Sequence, residues 1–577
     1  MNSYIKNLVT FSTQKESIDS VVRRMSEESR KVVYPGIVVI LDGKGALLGI
    51  VTDGDIRRAY SNNIVFSKSI SEIMIDNPIT VSNKIPEKDI SLEVIRKIQF
   101  SSENHSAWVK HVLIVDSDNI LVDIVDYSDT LQKQISQNKV VVFGMGYVGI
   151  TLAVSLANRG HKVLGIDTNK SIVNSLNTGD SHVLEPGLSD ILAANLKRNS
   201  INFNNKIDSN LYNIYIVAVG TPLDSSLMPD MSDLISVLED ISIVLKQGDQ
   251  VILRSTVPVG VTRKVVIPYL ESATKLKVGK DFYVSFAPER TIEGDAMNEL
   301  KTLPQVIGGY SSKCLKNSYE FWTTLTPTVV RVDTLEAAEL VKLANNSFRD
   351  LSFSFSNEMA LLADRFNVNT FDLINAANEG YPRNKIPLPS PGVGGYCLTK
   401  DPILFSCTYD GLRSDAVLGL ASRKINERAA LYPIDVVKKY ANMHKLSLSK
   451  LNILIIGIAF KGAPETTDVR GSVAIDLLHE LNKYVDNIFA WDAVIKTADL
   501  EKIGFDTIGS LSNSIRHVDV VLILNNHPNN IHSGLYTTPI NNRLIFDGWN
   551  QVDRQEIEKI SGMSYATMGY MTPMTNP

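Results

Sequence analysis

Cysteine is scarce in this chain of 577 residues, which contains only Cys314, Cys397 and Cys407. Three cysteines cannot build a disulfide scaffold, and their positions match no metal-ligand spacing, so we expect no metal site. This usage is typical of a reducing compartment and predicts a cytoplasmic protein. A lone cysteine in a polar, glycine-rich setting then becomes a candidate for chemistry.

Long hydrophobic runs and an excess of one charge are also missing. No apolar run approaches the ~18 residues of a membrane helix, and the segment 1–17 lacks the apolar centre of a signal peptide. With 63 acidic and 58 basic residues, the net charge is −5, which disfavours a nucleic-acid partner. At about 150 residues per domain, the length predicts about four domains.

The N-terminal segment 1–135 is predicted to form a small α/β module with an internal duplication. Strand patterns at 36–41 and 47–52 flank the turn DGKG, and the pattern returns at 110–129. The letters TDGDI at 52–56 recur in altered form as DYSDT at 126–130. Such self-similarity indicates a repeat. The polar stretch 131–138 is interpreted as a linker.

Two α/β regions follow, separated by a helical region. In the first, strands are predicted at 139–143, 162–167, 215–220, 250–256 and 282–288. A helical pattern without proline covers 334–366, and a Gly/Pro-rich loop covers 381–397. In the second, strands are predicted at 451–460, 488–492, 518–524 and 543–549. The predicted fold class is therefore α/β, with two Rossmann-like domains joined by a central helical domain, plus the N-terminal module.

The turn Gly144-Met145-Gly146-Tyr147-Val148-Gly149 lies between a predicted strand and a helix. Its glycines allow a tight turn, an approach of the backbone to a pyrophosphate, and close packing of helix on strand. Asp167 ends the next strand, where a carboxylate holds the ribose 2′-hydroxyl and repels a 2′-phosphate. We predict NAD binding; the alternative is a glycine-rich turn without a dinucleotide.

Cys397 lies in the segment Gly-Val-Gly-Gly-Tyr-Cys-Leu-Thr-Lys-Asp, 392–401. Glycines let the backbone approach a ligand, and the charges of Lys400 and Asp401 are expected to lower the thiol pKa. Cys397 is thus a candidate nucleophile. The alternative, a small buried apolar residue, is assigned to Cys314 and Cys407.

Two further groups of polar residues have helical or strand-end spacing. Lys342, Asn346 and Arg349 fall on one helical face, which either lines a cleft or is a solvated stripe. Glu289 and Glu293 follow a predicted strand and are candidate bases for activating water. The alternative for this pair is plain exposure.

Residues from about 139 to 577 resemble the UDP-sugar 6-dehydrogenase family. The resemblance is carried by ordered motifs: GMGYVG, LEPGL (184–188), VGTP with PDMS (219–222, 229–232), RSTVPVG (254–260), APER (287–290), KLANNSFRD (342–350), GVGGYCLTKDP (392–402) and AFKG with DVRGS (459–472). NNSFRDLSFSFSNEM, NEGYPR and PGVGG look more like the N-acetylmannosamine and N-acetylglucosamine branch. UDP-glucose enzymes tend to carry Phe at the position of Val393. Tyr396 stands where that acetamido branch usually has His, which leaves the sugar open.

The resemblance implies an NAD-dependent, two-step oxidation of the C6 hydroxyl of a UDP-N-acetylhexosamine to a carboxylate, through a Cys397 thioester, for surface polysaccharide synthesis. Lys342 and Asn346 would stabilise an oxyanion or position water. Asp401 would assist proton transfer, and Glu289 would activate the hydrolytic water. NAD contacts would include Thr221 and Thr256. Substrate contacts would be Arg290, Lys342, Asn346, Arg349, Arg383, Gly394, Lys461 and Arg470, from this chain or a dimer partner.

Residues 1–135 resemble a tandem pair of cystathionine-β-synthase (CBS) domains. Thr52 and Asp55 match the T-x-x-D signature, which in that family holds the ribose and phosphate of an adenine nucleotide. The second copy has Asp126 and Asp129 and lacks the threonine. A regulatory module is implied; the alternative is a purely structural dimerisation module.

These patterns predict domains at 1–135 (CBS, regulatory), 136–333 (NAD-binding), 334–430 (central, dimerisation and cysteine loop) and 431–577 (UDP-sugar-binding). A homo-oligomer, a dimer or higher, is expected. Three alternatives stay open: a UDP-glucose 6-dehydrogenase, a single-step hydroxyacid or 6-phosphogluconate-type dehydrogenase, and a non-catalytic NAD or nucleotide sensor.

Overall fold

The computed structural model describes residues 5, 7–29, 31–62, 64–86, 90, 93–94, 97, 111–126, 138–207, 211–410, 416–508 and 511–572. Asp129, most of the predicted linker (131–137) and the side chain of Asp126 lie outside the described residues. The chain forms two compact units. One contains residues 1–138 with the short segments 159–161 and 320–328, and the other contains the remainder.

The N-terminal module contains two small sheets of the same topology. Its elements are β1 (Thr10–Thr13), α1 (Ile18–Glu28), β2 (Ile37–Leu41), β3 (Leu47–Thr52), α2 (Asp53–Ser61), β4 (Thr80–Ser82), β5 (His111–Val115) and β6 (Leu121–Asp126). In each sheet the first two strands are parallel and the last two form an antiparallel hairpin. The hairpins shift register at equivalent positions, between Ile40 and Leu41 and between Ile114 and Val115.

The hairpin turns repeat at the spacing that the sequence predicts. Asp42 Oδ1 accepts backbone N–H groups of Lys44 (2.7 Å) and Ala46 (2.8 Å). At the same place in the second hairpin, Asp116 Oδ1 accepts those of Asp118 (3.0 Å) and Ile120 (2.9 Å). Asp side chains favour such turns because they replace a backbone acceptor. The equivalent turns support the internal duplication.

The first α/β domain is built on an eight-stranded sheet of order β14-β13-β12-β11-β10-β7-β8-β9. Its strands are β7 (Lys139–Phe143), β8 (Lys162–Ile166), β9 (Ile201–Asn204), β10 (Ile214–Val217), β11 (Gln250–Leu253), β12 (Tyr283–Phe286), β13 (Gln305–Gly309) and β14 (Val329–Val332). Its helices are α3 (Tyr147–Asn158), α4 (Lys170–Thr178), α5 (Leu188–Lys197), α6 (Ser232–Val244), α7 (Ile267–Thr274) after the π-helical Thr262–Val266, α8 (Ala296–Thr302) and α9 (Ser312–Trp322).

All neighbouring strands of this sheet are parallel except β12 and β13. Strands β10 to β12 are buried at every position, as expected where helices cover both faces. The strand order reverses between β7 and β10, which lie side by side. Ligands of doubly wound folds bind at such a reversal, beyond the carboxyl ends of the strands.

The central region is dominated by α10 (Leu335–Ala363), a helix of 29 residues. Thr334 caps its N-terminus by accepting the N–H of Ala337 at 3.0 Å. The sequence predicts helix to residue 366, and the last turn, Asp364–Phe366, is 3₁₀. The other helices of this region are α11 (Thr370–Asn378), α12 (Asp401–Phe405), α13 (Val417–Ala430) and α14 (Tyr432–His444). A buried Asp350–Arg423 ion pair at 2.8 Å joins α10 to α13.

The second α/β domain has a seven-stranded sheet of order β17-β16-β15-β18-β19-β20-β21. Its strands are β15 (Asn452–Ile456), β16 (Asn487–Trp491), β17 (Asp506–Thr507), β18 (Val520–Ile523), β19 (Arg543–Asp547), β20 (Met563–Thr567) and β21 (Tyr570–Met571). Its helices are α15 (Val473–Leu481), α16 (Thr497–Ile503), α17 (Leu511–Ser514) and α18 (Arg554–Glu558). Only β20 and β21 are antiparallel.

The predicted fold class is thereby confirmed: two Rossmann-like sheets flank a helical region, and a small α/β module precedes them. None of the helices in the described part of the chain is long and apolar enough to cross a membrane.

Candidate active site

The glycine turn between β7 and α3 has the backbone that its sequence predicts. Gly144 has a φ of +87°, a left-handed conformation that favours glycine. A Cβ on Gly149 would lie 1.7 Å from the carbonyl oxygen of Gly144, so the helix and turn pack too closely for any side chain. A Cβ on Gly146 would meet nothing within 4 Å. The turn therefore leaves open space at its middle glycine, and the residues fit a dinucleotide pyrophosphate.

Asp167 follows β8 and lies beside this turn. Its Oδ2 accepts the N–H of Met145 at 2.8 Å, and its Oδ1 accepts the N–H of Asn169 at 2.8 Å. The carboxylate is half-buried and held next to the glycines, as a ribose-binding role requires. Thr221 is buried, and its hydroxyl donates to the carbonyl oxygen of Thr256.

One cleft of about 310 Å³ contains most of the predicted site. Its lining includes Gly146, Tyr147, Val148, Thr221, Thr256, Glu289, Arg290, Glu293, Lys342, Asn346, Arg349, Gly394, Tyr396, Cys397, Lys400, Lys461 and Arg470. Residues from both α/β domains and from the central helix therefore meet at one place. This volume falls at the lower end of the range of small-molecule sites.

Asp401 organises the polar groups around Cys397. Its carboxylate is fully buried, accepts the Nδ2 of Asn346 at 2.6 Å and pairs with the Nζ of Lys400 at 2.9 Å. Its backbone N–H donates to the carbonyl oxygen of Cys397 at 2.9 Å. The cysteine is exposed to the cleft, whereas the groups that fix its loop are buried.

The expectation of a lowered thiol pKa is wrong for Cys397. Surrounding protein atoms desolvate the sulfur although it opens to the cleft, and the Asp401 carboxylate adds a repulsion, so the pKa is raised above its ordinary value. Lys342 and Lys400 act in the opposite direction without prevailing. The sequence reveals the nearby lysine but not that its charge is neutralised by the buried carboxylate.

Glu289 is anchored rather than free. Burial alone would raise its pKa, but Arg254, the N–H of Thr291 and Lys342 outweigh it and lower the pKa. Its Oε2 accepts Arg254 Nε at 3.0 Å, and its Oε1 accepts the N–H groups of Arg290 and Thr291, both at 2.7 Å. A carboxylate engaged in this way is a weak base, which argues against the predicted activation of water by Glu289.

Glu293 has the properties of a base that Glu289 lacks. Burial and the neighbouring Asp468 raise its pKa, so it takes up a proton more readily than an exposed carboxylate does. Its Oε2 accepts the hydroxyl of Thr466 at 3.3 Å, and its charge also acts on the Cys397 thiol. Its carbonyl oxygen accepts the Nζ of Lys461 at 2.6 Å.

The predicted arginine contacts divide into two groups. Arg290, Arg349 and Arg470 line the cleft. Arg470 binds Asp468 through two nitrogens and lies 4.6 Å above the ring of Tyr396. Arg383 is exposed over the ring of Tyr381 and does not line the cleft of its own chain. Arg383 thus lies apart from the other predicted arginines, and its contact with substrate, from this chain or a dimer partner, stays a prediction.

A second cavity of about 210 Å³ continues the cleft into the second α/β domain. Arg349, Gly394, Phe460 and Lys461 line both. A Cβ on Gly394 would lie 2.4 Å from the carbonyl oxygen of Gly471, so this glycine lets the cysteine loop approach that domain. The second cavity also reaches the start of α15, where the helix dipole favours an anion.

Two residues around the site were not singled out from the sequence, Arg254 and Glu185. Arg254 is buried and holds Glu289. Tyr396, which the sequence marks as a departure from the acetamido branch, fills the space between Arg470 and Gly220, whose Cβ would lie 3.0 Å from the tyrosine hydroxyl. Glu185 binds Tyr147 and Gly294. Arg254 and Glu185 lie in quoted motifs, but a motif does not say which of its members are buried partners.

In the N-terminal module, Thr52 and Asp55 form a helix cap. Asp55 Oδ2 accepts the N–H of Thr52 at 2.8 Å and its hydroxyl at 2.6 Å, while Oδ1 pairs with Arg58. Asp55 is buried, and the two side chains complete a capping box at the start of α2. Nucleotide binding at this pair stays a prediction.

Comparisons with known proteins agree with this geometry. Three models of the UDP-glucose/GDP-mannose dehydrogenase family match: the NAD binding domain at residues 138–326, the central domain at 336–428 and the UDP binding domain at 454–554. A CBS domain model matches residues 5–62. The predicted dehydrogenase family and the NAD cofactor are confirmed, as is a CBS domain in the first half of the predicted pair.

Individual relatives support the same assignment. A UDP-N-acetyl-D-mannosamine dehydrogenase of Pyrococcus horikoshii is 30% identical over 71% of this chain and 95% of its own length. One of Campylobacter jejuni is 31% identical over 68% and 95%. The solved structure of the Pyrococcus horikoshii enzyme superposes with a TM-score of 0.67 at 29% identity, covering 75% of this chain and 99% of that one. The chain therefore belongs to the UDP-glucose/GDP-mannose dehydrogenase family of NAD-dependent nucleotide-sugar dehydrogenases and carries an N-terminal CBS domain.

Proposed function

We propose that this enzyme oxidises the C6 hydroxyl of a UDP-N-acetylhexosamine to a carboxylate, in two steps and through a thioester on Cys397. The observation that carries the proposal is the meeting of Cys397, Lys342 and the Asn346–Asp401 pair with the dinucleotide turn in one cleft. Several relatives are named UDP-N-acetyl-D-mannosamine dehydrogenase, which favours an acetamido sugar.

The glycine turn, Asp167, Thr221 and Thr256 would hold NAD, which accepts a hydride in each oxidation when it is bound. Lys342 is buried and lines the cleft, so its ammonium is placed to stabilise negative charge on the C6 oxygen. The Asn346–Asp401 pair orients the reacting hydroxyl and relays its proton. The first oxidation removes one hydride and one proton from the alcohol and gives the aldehyde.

The Cys397 sulfur then forms a bond to the C6 carbon as its S–H bond breaks. The thiol proton balances the one gained by the aldehyde oxygen, which becomes a hydroxyl beside Lys342. Loss of a second hydride and of the hydroxyl proton leaves a thioester. Glu293 removes a proton from water, whose oxygen attacks the thioester carbon; the carbon–sulfur bond breaks, and the carboxylate product leaves. The raised pKa of Glu293 suits a general base.

A substrate panel tests the proposal. UDP-N-acetylmannosamine, UDP-N-acetylglucosamine and UDP-glucose are mixed with enzyme and NAD, and NADH is followed by absorbance. Two NADH per UDP-N-acetylhexosamine are expected. If only UDP-glucose gave two NADH, the result would favour a UDP-glucose 6-dehydrogenase. One NADH per sugar would favour a single-step dehydrogenase, and no NADH with any sugar would favour a sensor. Cys397→Ala should bind NADH normally and form no acid.

We also propose that the chain has the four domains that the sequence predicts. Two copies would pair through α10, which belongs to the central domain. Leu340, Phe348, Phe355 and Leu362 are 43%, 71%, 54% and 57% exposed and recur every seven or eight residues, so they fall on one helical face. Such an apolar stripe marks an interface in an otherwise polar surface. Because Arg383 lies outside the cleft of its own chain, we assign it in such a pair to the partner's cleft.

The N-terminal module is proposed to bind an adenine nucleotide at Thr52 and Asp55 and to regulate the dehydrogenase. The product, a UDP-linked uronic acid, would serve surface polysaccharide synthesis. Since NAD and UDP-sugars are cytoplasmic metabolites, we place the enzyme in the cytoplasm.

A further inference from the structure

Glu185 is a buried carboxylate that lies outside the lining of the cleft and has no role in the chemistry described above. It lies between α4 and α5. It accepts three hydrogen bonds: from the hydroxyl of Tyr147 at 2.6 Å, from the N–H of Gly294 at 2.9 Å and from the N–H of Met297 at 3.0 Å. These donors belong to two separate parts of the first α/β domain, which the carboxylate joins.

Tyr147 belongs to the dinucleotide turn. It directly follows Gly146, the glycine that leaves space for the pyrophosphate, and both residues line the cleft. Besides Glu185, its hydroxyl lies 3.1 Å from the carbonyl oxygen of Ile292 and 3.1 Å from the N–H of Gly294. A ligand that orders the dinucleotide turn therefore also orders the Tyr147 ring, whose hydroxyl contacts the 292–294 loop.

The other end of the 292–294 loop contacts the second α/β domain. The carbonyl oxygen of Glu293 accepts Lys461 Nζ at 2.6 Å, and its carboxylate accepts the hydroxyl of Thr466. Gly294 has a φ of +91°, and a Cβ there would lie 2.5 Å from Pro464. The domain that carries the UDP-binding model thus packs directly on the loop that Glu185 holds.

We propose that Glu185 is a positioning residue that couples the NAD site to the UDP-sugar site. Its carboxylate holds the 292–294 loop to Tyr147, so that ordering of the turn by NAD also orders the loop on which the second α/β domain closes. The inference rests on the proposed binding of a UDP-sugar in that domain. Coupling between two ligands is reciprocal, so each ligand must raise the affinity for the other by the same factor.

The coupling is measured as the ratio of two dissociation constants. Calorimetry on the full-length chain gives the affinity for UDP without and with saturating NADH, a pair that cannot react. We expect NADH to tighten UDP binding by about fivefold or more, the lower end of typical couplings. In Glu185→Gln and Tyr147→Phe the ratio should fall to within about twofold of one, while UDP alone binds within a few-fold of its normal affinity.

Tyr215→Phe is the matched control. Tyr215 is buried on β10 of the same domain and donates its hydroxyl to the carbonyl oxygen of Tyr212 at 3.3 Å, and it does not line the cleft. Its variant should keep the normal ratio even if its melting temperature falls. This separates loss of coupling from loss of stability, and Tyr147→Phe removes one oxygen without disturbing the two backbone bonds of Glu185.

Three results would overturn the inference. A ratio near one in the unmodified chain would mean that the sites are independent. A normal ratio in both variants would mean that coupling does not pass through Glu185. If the unmodified chain bound NADH but not UDP, the proposed function would fail together with the coupling, whereas the first two results leave it standing.

Discussion

The ionisation of Cys397 is controlled by Asp401. After burial, this carboxylate is the largest influence that raises the thiol pKa. We expect Asp401→Asn to lower the pKa and to speed alkylation of Cys397 by iodoacetamide at pH 8 about three- to tenfold, since one pKa unit changes the thiolate fraction up to tenfold. Mass spectrometry of the modified peptide measures the rate.

Two comparisons make this prediction specific. Lys400→Met should slow the alkylation, because the lysine favours the thiolate. Cys314 and Cys407 are buried and should react slowly in every variant. Slower modification of Cys397 in Asp401→Asn would contradict the assigned electrostatics.

The two glutamates of the 289–293 segment should behave differently when replaced. In Glu293→Gln the thioester would form but hydrolyse slowly, so a rapid burst of two NADH per active site should precede a turnover reduced about a hundredfold. Stopped-flow absorbance shows the burst.

Glu289→Gln should instead lower the unfolding free energy by about 3–5 kcal/mol, because it leaves Arg254 buried without its charge partner. Equal stability of the two variants would contradict this division.

At this scale, the sequence predicted most of the residues that meet in the cleft, Arg383 excepted, but not what each one does. Motif spacing identified Cys397, Lys342 and Asn346, and all three line the cleft. It could not distinguish Glu289 from Glu293, because the difference comes from Arg254, which directly follows the neighbouring strand β11. Likewise, the raised thiol pKa depends on burial, which a linear pattern does not contain.

The long helix α10 is joined to the first α/β domain by a buried carboxylate. Glu339 accepts the N–H and hydroxyl of Thr262 at 2.9 and 2.6 Å and the N–H of Gly260 at 2.6 Å. All three partners are neutral, so burial dominates and raises the pKa of Glu339 to about 7. The folded state therefore binds a proton between pH 4.5 and about 7 that the unfolded state releases.

It follows that Glu339 makes the protein less stable as the pH rises through this window. A pKa shift from 4.5 to about 7 corresponds to about 3 kcal/mol of folding stability. This contribution is fully present below pH 4.5 and is lost as the pH rises to about 7. Urea unfolding at pH 5 and pH 8 should show this slope, and Glu339→Gln should reduce it. An unchanged slope in that variant would contradict the assignment.

Element boundaries were predicted best where strands are continuously apolar. Strand β7 has its predicted bounds, and β10 and β12 lie at the predicted positions but end three and two residues before the predicted ends. Strand β13 was missed because Gly308 and Gly309 weaken its strand pattern. Both glycines are required by packing: a Cβ would lie 2.3 Å from the carbonyl oxygen of Thr334 at the first and 2.5 Å from the N of Leu315 at the second. Such a requirement arises only from the folded neighbours.

At the scale of the whole molecule, pairing through α10 can be tested with one charge. Phe355→Glu places a carboxylate in the middle of the exposed apolar stripe, and its desolvation opposes pairing. Light scattering should report a lower mass than for the unmodified chain, and activity should fall if the partner's Arg383 serves the cleft. The control is Ile243→Glu, another exposed apolar residue on α6. The same mass for Phe355→Glu and the unmodified chain would rule out this face.

The duplication of the N-terminal module was visible in the sequence because the turns repeat at a constant offset. Asp42 corresponds to Asp116 and Ala46 to Ile120, and the two pairs make equivalent hydrogen bonds. The role of the T-x-x-D pair was less predictable, since the same two side chains serve equally well as a helix cap and as nucleotide ligands.

These two roles of Thr52 and Asp55 can be separated by measuring stability and affinity together. Calorimetry of the full-length chain with ATP and AMP gives the affinity, and thermal unfolding gives the stability. In Asp55→Asn, loss of a capping carboxylate should cost about 1 kcal/mol. If the pair also binds a nucleotide, affinity should fall about tenfold or more, because the ribose loses a charged acceptor.

Ser17→Ala supplies the matched control for that last experiment. Ser17 caps α1 by accepting the N–H of Ser20 at 3.3 Å, in the same module. Its variant should lose similar stability and keep its nucleotide affinity. Equal losses of affinity in both variants would show that the module only needs to be folded. No binding of either nucleotide to the unmodified chain would leave Thr52 and Asp55 with the capping role alone and favour a structural, dimerising module.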